Sequence, residues 1–423
     1  MPGSFLRLLA AQFASGLADN ALLIVTIALL QSQGMPAWWA PLLKVGFIVS
    51  YVVLAPFVGP LADAFPKARL MAWMNAVKVA GVLVLLAGAH PVAAFIVVGF
   101  GAAAYAPAKY GLATELVRAD QLVVANGLIE VAAVCAVLLG TGLGGLLVSP
   151  WFMSTFAIGG GVLALLHVGA LVPSLLVLLF VYLLASGLNL GVPDSGARYP
   201  ASRLHPGALV REFLQSNRCL WRDADGGLSL SVTTIFWGVG ATLQFAVLRW
   251  ASERLHVPLD QAAFLQAAVA VGVIVGAAAA AWWVPLAHAK RMLAAGVVFG
   301  LMMIVVAFTS TLAFAVPLLV AVGAVGGLMV VPLNALLQDR GNALMSAGRS
   351  IAVQGASENA SVLVFLAIYT ALVALDVPLV VLMTGLGLAV TLALAGLIAQ
   401  ELLRARRGGA RGAGITPASV ESL

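Results

Sequence analysis

Apolar stretches of about 20 residues recur from one end of this chain to the other, each long enough to cross a hydrocarbon core as a helix. Lipid offers no partner to a free backbone N–H or C=O, and a helix pairs its own. The feature therefore predicts an all-α membrane protein. Composition agrees: 62% of the 423 residues are hydrophobic and 9% are charged, against roughly 25% charged in soluble domains.

The expected spans are 5–32, 38–62, 68–88, 92–116, 121–148, 172–192, 228–252, 261–285, 291–311, 313–337, 345–374 and 377–403. Helix breakers mark the turns: Gly34 and Pro36, Pro66, Pro91, Pro150, Pro193, Gly226 and Gly227, Pro258, Gly341 and Pro378. The first stretch begins without a cleavage-site pattern over Met1 to Phe5, outruns a signal peptide and carries Asp19, so it reads as a true span.

Alternate loops are basic. One set holds Lys67 and Arg69, Arg118, Arg198, Arg203, Arg211, Arg218 and Arg222, Lys290 and Arg291, Arg340, and the tail Arg404, Arg406, Arg407 and Arg411; the other holds Arg249 and Arg254. The asymmetry puts both termini and the central loop in the cytoplasm. It also accounts for the net charge of +6, with a headgroup-facing tail in place of a nucleic-acid patch.

Residues 151–171 are apolar too, but a span there would strand the basic central loop outside, and Gly159 to Gly161 would weaken a helix. The segment reads as an interfacial or re-entrant insertion. The chain then divides into an N-terminal six-helix half (1–193, with that insertion), a central cytoplasmic loop (194–227), a C-terminal six-helix half (228–403) and a basic cytoplasmic tail (404–423). Within the loop, Leu209, Val210, Phe213, Leu214 and Leu220 alternate with Arg211, Arg218 and Arg222 at near-helical spacing. That pattern suits an amphipathic helix on the membrane face, and equally a solvated linker.

The halves carry matching motifs. Asn126-Gly127-Leu128-Ile129-Glu130 and Gln354-Gly355-Ala356-Ser357-Glu358 share amide-Gly-x-x-Glu, and upstream Pro107-Ala108-Lys109 answers Pro332-Leu333-Asn334. Such correspondence is the mark of a parallel-repeat transporter.

Charges within the spans include three acids, Asp19, Glu130 and Glu358, and three lysines, Lys44, Lys78 and Lys109. A charge in hydrocarbon costs at least about 2.5 kcal/mol, so each faces a partner or a wet cavity. Paired, they would lock helices or form a gate; unpaired, they would line a substrate cavity. Mid-span depth and the neighbouring amides Asn20 and Asn359 favour the cavity for Asp19 and Glu358. Both readings stay open for Lys109 and Glu130, and Lys44, near a helix end, reads as a snorkelling side chain.

Enzyme chemistry finds no footing. The five histidines are scattered, HExxH, CxxC and GxxxxGK[ST] are absent, and Cys135 and Cys219 suggest no disulfide. No cofactor or metal is expected. Gly140, Gly142, Gly144 and Gly145 suit close helix packing better than a phosphate cradle.

The loop Gly59-Pro60-Leu61-Ala62-Asp63-Ala64-Phe65-Pro66-Lys67-Ala68-Arg69 resembles the signature between helices two and three of the major facilitator superfamily, with Pro66 and Ala64 in place of a glycine and a basic residue. The resemblance implies a cytoplasmic latch between the halves at Gly59, Asp63, Lys67 and Arg69. An Asp there can also face a neighbouring helix N-terminus. Within that superfamily the chain is similar to the bacterial lysophospholipid transporter family. The runs that carry this are Ala18-Asp19-Asn20-Ala21-Leu22-Leu23, Ala55-Pro56-Phe57-Val58-Gly59, Gly101-Ala102-Ala103-Ala104-Tyr105-Ala106-Pro107-Ala108-Lys109-Tyr110-Gly111, Ala125-Asn126-Gly127-Leu128, Phe236-Trp237-Gly238 and Val331-Pro332-Leu333-Asn334-Ala335-Leu336-Leu337-Gln338.

The resemblance implies flipping of lysophospholipids such as lyso-phosphatidylethanolamine from the outer to the inner leaflet for reacylation, by a monomer working with an acyltransferase/acyl-carrier-protein synthetase. The expected substrate contacts are Asp19 and Glu358 to the amine and Lys109 or Lys78 to the phosphate, with Asn20, Glu130, Gln244, Asn334 and Asn359 around them. The family pattern Thr-Leu-Arg-Phe is here Thr242-Leu243-Gln244-Phe245. Arg249 stands about 140° further round the helix, so it does not replace the missing charge. Two rivals remain: a proton-coupled exporter with Glu130 or Glu358 as the protonated group, and a lipid-modifying enzyme, for which no nucleophile–base pair is visible.

Overall fold

The computed structural model describes residues 2–35, 39–156, 169–196, 205–256 and 259–413. The elements are α1 (Gly3–Ser32), α2 (Trp39–Ala64), α3 (Lys67–Leu86), α4 (Pro91–Leu116), α5 (Leu122–Leu147), the short α6 (Pro150–Thr155), α7 (Val172–Leu190), α8 (Pro206–Arg222), α9 (Ala224–Arg254), α10 (Leu259–Trp283), α11 (Leu293–Phe308), α12 (Leu312–Leu344), α13 (Ala347–Ala374) and α14 (Leu379–Ala413). Among the described residues there is no strand. Twelve helices, all but α6 and α8, lie in segments long and apolar enough to cross a membrane. They form two six-helix halves, α1–α7 without α6, and α9–α14.

Three helix ends differ from the sequence reading, each for a local reason. Gly341, expected in a turn, sits inside α12. A Cβ there would fall on the Ser350 hydroxyl, so glycine allows α12 to pass close to α13. The extra turns of α12 are tied down by Gln338 and Arg340, which bond Asn126 and Asp223. Gly226 and Gly227 likewise belong to α9. A Cβ on Gly227 would meet the Trp221 carbonyl, and its absence permits the tight α8–α9 corner. α14 continues past 403 to Ala413, carrying the basic stretch as helix.

The insertion expected over 151–171 is described only at its edges, by α6 and a 3₁₀ turn over Gly169–Leu171. Its interior, 157–168, lies outside the described residues, as do Pro36, Arg198, Arg203, Pro258 and the tail beyond 413.

Apolar packing falls into distinct clusters. One belongs wholly to the C-terminal half, centred on Trp250, Leu319 and Met303, and one wholly to the N-terminal half, on Leu22, Leu175 and Tyr182. A third crosses between them: Phe5, Met71, Leu112 and Ile129 of the first half pack with Ala277, Ala280, Val331 and Ala352 of the second. Its residues come from the start of α1, α3, α5 and α13, the end of α2, α4 and α10, and the later part of α12. The halves therefore meet through dry packing at one end, called here the latch end.

Candidate functional site

Inside the N-terminal half, α1 brings Ser15 and Asp19 to one face, and α3 brings Asn75 and Lys78 to meet them. These are i, i+4 and i, i+3 spacings. Lys78 Nζ lies 2.7 Å from Asp19 Oδ2 and donates to Ser15 Oγ at 2.9 Å. Ser15 donates to Asn75 Oδ1 at 2.8 Å, and the Tyr182 hydroxyl donates to Asp19 Oδ1 at 2.7 Å. The ammonium also stands 5.2 Å from the Tyr105 ring centre and 5.7 Å from that of Tyr182. Lys78 is 1% exposed, and a charge so buried is tolerable only with this set of partners. The two residues that sequence reading assigned to opposite ends of a substrate are thus bonded to each other.

A chain of amides crosses between the halves. Asn126 of α5 and Gln338 of α12 exchange two hydrogen bonds, both 2.9 Å. Asn334 Nδ2 donates to Asn126 Oδ1 at 3.4 Å. Gln354 of α13 donates to Asn334 Oδ1 and, at 2.8 Å, to Glu358 Oε1. Glu130 lies one turn beyond Asn126 and is buried. Lys109 Nζ lies 4.1 Å from the Tyr110 ring centre. Asn20 and Asn359 bond back to carbonyls of their own helices, Gly16 and Gly355, at 2.8 Å each.

At the latch end, a Cβ on Gly59 would sit 3.0 Å from Arg349 Cα and 3.1 Å from the Gly348 carbonyl. Backbone meets backbone because neither glycine has a side chain. Asp63 reaches the first turn of α13. The Ser346 hydroxyl donates to its Oδ2, and Arg349 Nε lies 4.0 Å away. A carboxylate there faces the positive end of the helix dipole. Arg349 Nη2 also contacts Glu212 of α8 at 3.1 Å, tying the helix between the halves to the same junction. Lys67 pairs instead within its own half, 2.6 Å from Glu115. Arg69 is exposed and makes no ion pair among the described residues.

The far end of the junction is polar. Lys44 of α2 donates to Gln244 Oε1 of α9 at 3.1 Å, with its ammonium 6.0 Å from the Phe245 ring centre. Gln266 donates to the Gln244 carbonyl at 2.7 Å. Arg249 is taken up by Glu253, 2.5 Å away.

Sequence reasoning missed Tyr182, Glu115, Ser346, Arg349 and Glu212. Only Arg349 carried a signal, as a second basic residue at a helix start facing the basic loops; the others are side chains of ordinary kinds whose roles arise from tertiary contact.

Twelve apolar spans in two bundles, with an ion pair buried inside one bundle and a chain of amides crossing between the two, define a multi-pass membrane protein with the architecture of a two-half transporter. Comparison sharpens the class. The family model described as Major Facilitator Superfamily matches residues 8–359. The chain is 41% identical over 372 residues to a lysophospholipid transporter from Pectobacterium carotovorum, covering 88% of this chain and 86% of that one. Over 379 residues it is 41% identical to the lysophospholipid transporter of Yersinia pestis, covering 89% and 88%. The chain therefore belongs to the Major Facilitator Superfamily and, within it, to the family of these transporters, and is a multi-pass inner-membrane protein. Its fold matches the E. coli fucose:proton symporter, with a TM-score of 0.69 at 16% identity over 92% of this chain and 97% of that one. It matches a bacterial homologue of the iron transporter ferroportin in an outward-facing state with a TM-score of 0.70 at 13% identity, covering 94% and 100%.

Proposed function

We propose that this protein moves lysophospholipids, such as lyso-phosphatidylethanolamine, from the outer to the inner leaflet of the inner membrane, where an acyltransferase/acyl-carrier-protein synthetase restores the second acyl chain. The observation that carries the reading is the 41% identity to named lysophospholipid transporters across nearly nine-tenths of the chain. The buried charges support it. A zwitterionic headgroup needs both signs within reach, and the spans hold Glu130, Glu358 at the end of the amide chain, Lys109 and the Asp19–Lys78 pair.

In this reading the latch end, with both termini, is cytoplasmic, and the halves 1–193 and 228–403 rock about the junction as a monomer. Gly59, Asp63 and Lys67 with Arg69 form or flank the latch. A substrate ammonium reaches Asp19 only by displacing Lys78, and the freed lysine then meets the phosphate. Glu358 offers a second carboxylate for the amine, Lys109 a second cation, and Asn20, Glu130, Gln244, Asn334 and Asn359 line the remaining polar wall. The acyl tail lies along apolar helix faces.

The test is reconstitution into liposomes with labelled lyso-phosphatidylethanolamine. Inward flipping should survive a protonophore, fall in Asp19→Asn and in Glu358→Gln, and leave the lipid chemically unchanged. Normal flipping in both variants would remove the assignment. No flipping above protein-free liposomes would remove the substrate.

A further inference from the structure

Within the N-terminal half, Lys78 is held by Asp19 and Lys67 by Glu115. Lys44 differs. Its contacts are a neutral amide, Gln244 at 3.1 Å, and the Phe245 ring; no carboxylate lies within ion-pair range of it among the described residues. It stands about five helical turns before Asp63 on the same helix, so it occupies the end of the junction opposite the latch. Phe245 is 41% exposed there, and Tyr369 of α13 lies beyond it, ring centres 6.5 Å apart. Among the described residues, the far-end mouth thus presents the Lys44 ammonium without a carboxylate partner, beside an accessible aromatic surface. The amide oxygen accepts from the ammonium but brings no opposite charge, so the Coulombic attraction that an anion at the same distance would add is left unused.

We propose that Lys44 is the residue that recognises the headgroup phosphodiester of a monoacyl phospholipid at the far-end mouth, with Gln244 holding the ammonium in position until the phosphate replaces it. The inference rests on the lysophospholipid reading and adds to it a residue that reads from sequence as a snorkelling side chain. Because Lys44 and Gln244 come from different halves, the phosphate that displaces Gln244 also releases the polar bridge across this end. What the site requires is a positive charge at this junction, whichever helix carries it.

The experiment uses the full chain in phosphatidylcholine vesicles, following inward movement of labelled lyso-phosphatidylethanolamine as a function of its concentration. Lys44→Gln should raise the half-saturating concentration by about tenfold to a hundredfold, the loss of one charged hydrogen bond, with little change in maximal rate. Lys44→Arg, and the exchanged pair Lys44→Gln with Gln244→Arg, should both return toward wild type. Soluble glycerophosphoethanolamine should compete in the wild type and lose that effect in Lys44→Gln. An unchanged half-saturating concentration in Lys44→Gln, or an exchanged pair no better than the single variant, would overturn the proposal. So would inorganic phosphate competing as well as the glycerophosphodiester, which would assign Lys44 to free anions. Wild-type protein that moves no lysolipid would overturn the parent reading as well. That outcome is distinct from a wild type that flips and a Lys44→Gln variant that matches it.

Discussion

At the latch end, α2 and α13 touch through Gly59 and Gly348, an apolar cluster runs across both halves, and an amide chain passes from Asn126 to Glu358. At the far end, the polar bridge is one ammonium on one amide, Lys44 to Gln244. The contrast is one of materials. Glycine-to-glycine packing is short-ranged and keeps nothing once the helices separate by an ångström or two. An ammonium–amide bond can be exchanged with water or with a ligand at little net loss. One end is therefore built to close tightly, and the other to trade its contact for something else.

The largest expected effect should leave that contrast intact. Asp19→Asn strands Lys78 without its carboxylate inside the N-terminal half, and breaking a buried pair from one side costs about 3–5 kcal/mol. The melting temperature of the purified protein should drop sharply, and Asp19→Asn with Lys78→Met should recover most of it. Spin-label distances across the two ends should not change; a shift in them would tie the pair to the junction and break the comparison. Gly348→Val acts on the junction itself. Its Cβ would lie 2.6 Å from Asp63 Oδ1 and 2.8 Å from the Gly59 carbonyl, an overpacking cost of about 1–3 kcal/mol. Labels across the latch end should move apart and labels across the far end together. Asn126→Leu removes the middle of the amide chain and leaves Gln338 and Asn334 short of partners. Interhelical hydrogen bonds in membranes are worth about 0.6–1.7 kcal/mol, so the same distances should shift in the same direction, but less. Unchanged distances in both variants would mean that the apolar cluster alone closes this end.

The helices were legible in the sequence because span length and loop charge are one-dimensional signals. All twelve spans appear where apolar runs predict them, and the departures fall at polar ends such as 338–344, where Gln338 and Arg340 find tertiary partners that no window of sequence contains. The buried charges were legible as residues but not as pairs. Asp19 and Lys78 are 59 positions apart, and although its place near a helix end sets Lys44 apart, nothing along the chain says that Lys78 meets Asp19 while Lys44 meets an amide. The repeat motif was visible as a pattern, yet its halves are used differently. Gly127 packs on Ala277 and Ala281, while Gly355 has open space beside it. A single conformation of a two-state transporter breaks a symmetry that the sequence keeps.

The smallest expected effect separates contacts at the latch end that cross the junction from those that merely lie near it. Asp223 caps α9, accepting from the backbone of Gly226 at 2.8 Å, and meets the Arg340 guanidinium of α12 at 2.7 Å. Both partners belong to the C-terminal half. The Arg340 hydrogen bond, against partial burial and with help from the Gly226 and Asp225 amides, holds the Asp223 carboxyl below its ordinary value. A carboxylate depressed in the folded state adds stability that is fully present above its unfolded value, about 3.9. That stability is lost as pH falls through the lower, folded value. Asp223→Ala should cost about 1 kcal/mol for the cap and the ion pair together. The gap in melting temperature between wild type and variant should stay level from neutral pH down to about 5, then narrow below about 4 as wild type loses the contribution that the variant lacks. Labels across either end should hold their distances throughout. If Asp223→Ala opened the latch end, the α9–α12 corner would have to be counted as part of the closing contact, which would then extend beyond the packing of α2 and α5 against α10, α12 and α13.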